Sequence, residues 1–186
     1  AMGAVPPPQE GTAFLGELSL LGELRPANGV LPMAIALKEA GFHTLYLPAA
    51  NAPEATVVEG LRVYGVGHAG ALLRHLKGEE PLSPCVAPAS LPRLTGEMLD
   101  YADVRGQALA KRAMEITAAG GHNILLIGPP GSGKSMLAKR LPSILPDMTQ
   151  EESMETTKLH SIAGVLPPGT PLITTRPFRA PHHTIS

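Results

Sequence analysis

"HNILLIGPPGSGKSMLAKRLPSIL", residues 122–145, is the stretch on which the reading of this chain turns. Gly128-Pro129-Pro130-Gly131-Ser132-Gly133-Lys134-Ser135 satisfies G-x-x-x-x-G-K-[ST] without departure. Glycines at these places let successive backbone N–H groups turn into one concavity, and a helix starting near Lys134 directs the positive end of its dipole there. Such a concavity takes a polyphosphate. Lys134 is expected to reach the β and γ oxygens, the Ser135 hydroxyl to sit on Mg²⁺, and the backbone from Gly128 through Met136 to line the site. The alternative is an ordinary glycine turn between a strand and a helix. Context favours the nucleotide site: HNILLIG, ahead of the loop, reads as a short buried strand, and an amphipathic helix is expected to run on to about Leu141.

Working outward, Gln107–Ala119 reads as a helix ended by Gly120 and Gly121. Thr149 and Glu152 have capping-box spacing, so another helix is expected to start there. Residues 12–76 read as alternating strands and helices. TAFLGELSL is expected to be one strand, GVLPMAIALKEAGF a helix with Pro32 near its start and Gly41 at its stop, and HTLYLP and LRVYGV two further strands. Between those two strands lies a short helix with Asn51 as its N-cap candidate, and HAGALLRHLKG closes the series as a helix stopped by Gly78. Pro81, Pro84, Pro88 and Pro92 then interrupt any regular element, so a linker and a domain boundary are expected there.

Composition narrows the classes. The 186 residues suit one ordinary domain or two small ones, and with 44% hydrophobic but only 3% aromatic residues the core must be aliphatic. Fifteen Lys+Arg against 16 Asp+Glu leave no global charge to attract nucleic acid or an anionic membrane, so any polyanion site is local. The single cysteine, Cys85, cannot form an internal disulfide, which is consistent with a reducing cytoplasm. No apolar run approaches the roughly 18 residues of a membrane span, and AMGAVPPPQEGTAF lacks the charged and apolar regions of a signal peptide. Because the chain begins with Ala and ends in HHTIS, it is expected to be a piece of a longer protein.

ADVRGQALAKRAMEITAAGGHNILLIGPPGSGKSMLAKRLPSILP, together with RPFRAPHHTIS, resembles the start of the AAA+ module in the magnesium-chelatase-like ComM/YifB family. FLGELSLLGELRPANGVLPMAIALKEAGFHTLYLPAANAPEATVVEGLRVYGV resembles the second half of that family's N-terminal domain, which shares a fold with the Lon protease domain. The resemblance implies an α/β chain. Residues 1–78 would be the C-terminal half of a Lon-like, ribosomal-S5-type domain, 79–96 a proline-rich linker, and 97–186 the first part of a P-loop AAA+ domain. It implies ATP and Mg²⁺ as cofactors, a cytoplasmic homo-hexamer, and DNA as partner of the intact parent, an ATP-driven branch-migration helicase acting in natural transformation. It also implies that Val104 and Gly106 contact the adenine base; on chemistry alone Asp103–Gln107 is equally a solvated N-cap with a tight turn.

Two departures from the family pattern carry consequences. Leu31 stands where Lon-type proteolysis places its lysine, so no proteolytic dyad is expected; Lys38 and Ser19 are the local candidates, and Lys38 is expected to solvate the outer face of its helix. The Walker B acidic pair, the sensors and the arginine finger would belong to sequence beyond Ser186, so no catalytic residue is assigned. The chain is expected to bind nucleotide without turning it over. Two other functions stay open: the ATPase subunit of a magnesium chelatase, and a non-catalytic nucleotide-binding assembly module. Arg176, Arg179 and Lys139-Arg140 either meet DNA phosphates or solvate a surface and a helix end. His182-His183, His160 and His122 lack the partners a zinc site needs, since adjacent histidines point apart, the last thirty residues hold no Asp or Glu, and the single Cys85 lies in the linker.

Overall fold

The computed structural model describes residues 5–87 and 99–179. It divides into two compact units, Ala1–Leu91 with Glu152–Ile173, and Pro92–Glu151 with Thr174–Ser186.

The first unit is built on a three-stranded parallel sheet in the order β1 (Thr12–Phe14), β4 (Thr44–Pro48), β5 (Arg62–Val66). Parallel neighbours need crossovers, which the helical segments between the strands supply. Ahead of β4 comes α1 (Val30–Glu39), and between β4 and β5 comes the short α2 (Ala52–Ala55). Two more strands, β2 (Glu17–Leu18) and β3 (Leu24–Arg25), form a small antiparallel ribbon, and α3 (Ala69–Leu76) follows β5. TAFLGELSL is therefore not one strand. It breaks at Gly16, whose φ of 139° lies outside the range of an L residue in a strand, and the chain turns away into the ribbon.

Register explains the two faces of the sheet. Leu45 pairs with Ala13 and Val63, and with Leu47 these residues meet Val30, Leu31 and Ala34 of α1 and Ala52 and Ala55 of α2. Leu31, Leu45 and Leu47 are wholly buried, and each contributes about 2 kcal/mol by leaving water. Alternate residues form a row on the other face: Phe14, Tyr46 and Tyr64 pair in register with centroids 5.2 and 4.9 Å apart. His75 of α3 lies against this row, with Nε2 2.9 Å from the Tyr46 hydroxyl.

Residues 79–87, the described part of the proline-rich stretch, are tied to this unit. Cys85, exposed, donates its backbone N–H to the Val63 carbonyl at 2.7 Å, adding a single bridge beside β5. Lys38 is exposed, as its helix face suggests, and caps the Gly60 carbonyl at 3.0 Å, while the Ser19 hydroxyl accepts from Glu23 N–H. Both residues stabilise turns.

The second unit holds a 3-10 turn (Tyr101–Asp103), α4 (Ala108–Gly120), α5 (Lys134–Arg140) and a 3-10 turn (Leu141–Ile144), packed around Tyr101, Val104, Met114 and Leu137. The helix expected after Thr149 is present as α6 (Gln150–Ile162); from Glu152 onward it belongs to the first unit. HNILLIG, expected as a buried strand, runs without a strand partner among the described residues. Leu125 is 80% and Ile127 86% exposed. A buried parallel strand requires a ladder on each side, and the described part of this unit offers none.

Burial raises the Tyr46 hydroxyl above its ordinary value of 10.0, with Tyr64 adding to the effect and Arg62 opposing it. Burial raises Tyr101 in the same way, against Arg140. A tyrosine whose folded pKa is raised stabilises fully below its unfolded pKa, and that contribution is lost as pH rises, because the unfolded chain ionises first. Urea midpoints measured between about pH 8 and pH 11 are expected to fall above about pH 10, and to fall less steeply in Tyr101→Phe. An unchanged slope in Tyr101→Phe would exclude this residue as a source.

Candidate nucleotide site

The loop Gly128–Ser135 leads into α5, whose first-turn amides have no partner within the helix. Pro129 and Pro130 remove two amide donors from the loop, and Ser132 N–H is spent on the Pro129 carbonyl at 3.3 Å. The curl is completed by left-handed residues at Gly131 (φ 77°) and Gly133 (φ 87°). Lys134 folds back over this curl: its ammonium donates to the Gly128 and Pro129 carbonyls at 2.8 Å each and to Ser132 Oγ at 3.2 Å. A cation thus sits at the centre of the loop, held by weakly basic neutral oxygens. Ser135 is exposed next to it, as is Met136.

The preceding turn is fixed to α5 from two sides. Tyr101 donates its hydroxyl proton to the Leu137 carbonyl at 2.8 Å in a buried bond. Arg140 donates through Nε to the Asp100 carbonyl at 2.9 Å and stands 3.7 Å from the Asp103 carboxylate. Asp100 and Asp103 also close a capping box around the 3-10 turn. Val104, expected at the base, is 2% exposed in the core; its N–H donates to Tyr101 O and its carbonyl accepts the Lys111 ammonium. Gly106, in contrast, is exposed. Beside it Gln107, which pattern reading passed over as an ordinary helix start, reaches the Ser132 carbonyl with Nε2 at 3.3 Å.

The basic residues behave differently from one another. Arg140 is committed to the turn, and Arg176 donates to the Pro146 carbonyl at 2.9 Å. Lys139 and Arg179 are exposed, and His182 and His183 lie outside the described residues. Among the described residues no group of three or more His, Cys, Asp or Glu could hold a metal ion, and no helix is long and apolar enough to cross a membrane.

A second polar cluster leaves only a partial signal in the sequence. In the first unit the Glu54 carboxylate, 5% exposed, accepts from Leu31 N–H at 3.2 Å, from the Ser161 hydroxyl at 2.6 Å and from the Asn51 amide at 2.8 Å. Asn51 is therefore not the side-chain N-cap of α2: its amide instead exchanges two bonds with the Ala27 backbone, a tertiary partner that outcompetes the local one. Asn51, Glu54 and Ser161 line a hollow of about 190 Å³ together with Pro167, Pro168 and Gly169. The spacing of Asn51 and Glu54 puts both on one short helical turn, a signal that could have been read; Ser161 has no such signal.

Residues 100–186 match the family model described as magnesium chelatase, subunit ChlI, and residues 2–51 match that of subunit ChlI of Mg-chelatase. An uncharacterised protein of Mycobacterium tuberculosis is 48% identical over 177 residues, 95% of this chain and 35% of the relative. The competence protein ComM of Haemophilus influenzae is 39% identical over 93% of this chain and 34% of its own length; YifB of Escherichia coli is 37% identical over 93% and 33%. This chain belongs to the ComM/YifB magnesium-chelatase-like family. It spans about a third of the length of these relatives. A shorter part is also 38% identical, over 73 residues, to the mitochondrial Lon protease homologue of Homo sapiens.

Proposed function

We propose that this chain is the ATP-binding portion of a ComM-like AAA+ ATPase, and that the whole protein is an ATP-driven DNA branch-migration motor working as a cytoplasmic homo-hexamer. The observation that carries the nucleotide reading is the Lys134 ammonium drawn onto the loop carbonyls and Ser132 Oγ. Neutral oxygens are weaker partners for an ammonium than phosphate oxygens, so a triphosphate would exchange these contacts for charge-assisted ones. The residues present fit Mg²⁺ as well. Ser135 would offer it a hydroxyl, and the ion would neutralise charge on the β- and γ-phosphates. Around the base, Val104 is already committed to the core, so contact would fall to the exposed backbone at Gly106.

The parallel sheet is compatible with the Lon-like reading of the first unit, and part of the chain shares identity with a Lon protease homologue. Leu31, which the resemblance to Lon sets at the place of the lysine, is buried in the core and carries no proton-transfer group, so the unit would serve assembly and not proteolysis. Competence, as a role for the parent, is suggested by the name of the Haemophilus relative.

Titration of the chain with a fluorescent ATP analogue and Mg²⁺ tests the reading: saturable binding displaced by unlabelled ATP is expected, and its absence from folded protein overturns it. Chelatase-subunit matches favour a second reading, an ATPase driving Mg²⁺ insertion into a porphyrin. Branched DNA raising ATP turnover by the full-length protein would decide for the motor; stimulation by a porphyrin alone would decide for the chelatase.

A further inference from the structure

Gln107 is the single non-glycine residue with positive φ among the described residues, at 53°. An L side chain adopts this conformation rarely, and where it does so the surroundings must hold it there. Here the reason is on view. Gly106 (φ 67°) and Gln107 are left-handed in succession, which swings the Gln107 side chain off the start of α4 and onto the phosphate loop. Its Nε2 donates to the Ser132 carbonyl at 3.3 Å, and a Cβ on Gly133 would come within 2.9 Å of the same nitrogen. Gly133 is thus required for its own φ, and a Cβ there would crowd the glutamine amide. Ser132 in turn accepts the Lys134 ammonium through Oγ. At the other end, the Gln107 carbonyl accepts Lys111 N–H, and the Lys111 ammonium holds the Val104 carbonyl. A continuous set of contacts therefore runs from the turn Val104–Gly106 through Gln107 and Ser132 to Lys134.

We propose that Gln107 is a positioning residue that couples the base-side turn to the phosphate loop, so that a nucleotide is gripped as base and phosphates together and not as two independent contacts. This rests on the nucleotide reading above. Were the turn and the loop free to move separately, part of the binding energy of the base would be lost in ordering one against the other.

The test compares the affinities of MgATP and Mg-tripolyphosphate for the full chain, for Gln107→Gly and for Gln107→Asn. Glycine accepts the left-handed backbone and removes the amide; asparagine tolerates the backbone and is one methylene short. The preference of the wild type for MgATP is expected to shrink about tenfold in both variants, while tripolyphosphate affinity stays within about twofold. A Gln107→Gly chain that melts as the wild type does yet keeps its full preference overturns the coupling. Equal losses for both ligands also overturn it, since the glutamine would then merely stiffen the loop. If the wild type binds neither ligand, the nucleotide reading falls first and this inference falls with it.

Discussion

Lys134→Ala is expected to weaken MgATP binding by about ten- to a hundredfold, the equivalent of one charge-assisted contact of about 1.5–3 kcal/mol. Two effects contribute. The ammonium is lost as a partner for phosphate oxygens, and the loop loses the three bonds by which Lys134 draws Gly128, Pro129 and Ser132 together. Because the loop is exposed and its internal bonds are few, folding stability should change by no more than about 1 kcal/mol. Equilibrium titration paired with a urea melt separates the two consequences. Lys134→Arg is expected not to restore affinity, because a planar guanidinium cannot stand in for a compact ammonium inside a curl this tight. Binding unaffected by Lys134→Ala would remove the loop from the account of nucleotide recognition.

How far the sequence reaches can be judged from particular residues. The curl of Gly128–Ser135 into α5 was legible because its information is local: fixed glycine spacing and a lysine one step beyond, all within eight residues. The β–α–β order of the first unit was legible for a similar reason, since Pro32, Gly41 and Gly78 punctuate apolar periods at helix starts and stops. HNILLIG was misread because strand pairing is a property of two segments, and the apolar run says nothing of its neighbour. Asn51 stands at the N-cap position of α2 as expected, but its side chain bonds the Ala27 backbone, 24 residues away, in place of the local amides. Gln107 was missed because a left-handed glutamine leaves no mark in composition or periodicity; only the glycine before it hinted at an unusual turn.

The largest loss of stability is expected at a residue with no visible role in nucleotide binding. Glu54→Ala removes the acceptor for three donors at once: the Leu31 N–H in the first turn of α1, the Ser161 hydroxyl 107 residues away, and the Asn51 amide. Leu31 N–H and the Ser161 hydroxyl would be left without a partner in a buried place at a cost of about 1–3 kcal/mol each, while Asn51 keeps its bonds to Ala27, so a loss of about 2–6 kcal/mol is expected. Water entering the adjoining hollow of about 190 Å³ can recover part of this. Glu54→Gln keeps the shape and one acceptor oxygen, yet turns an NH₂ toward groups that themselves donate. It also withdraws negative charge from the N-terminus of α1, where a carboxylate is favourable. An intermediate loss is expected. Ser161→Ala discriminates between a cooperative cluster and a set of separate bonds. If the cluster acts as a unit, the double variant with Glu54→Ala should cost clearly less than the two single losses added together. A urea midpoint for Glu54→Ala close to that of the wild type would show that the carboxylate is incidental, and the join between Glu54 and α6 would have to be explained by the apolar contacts of Met154 with the core of the first unit.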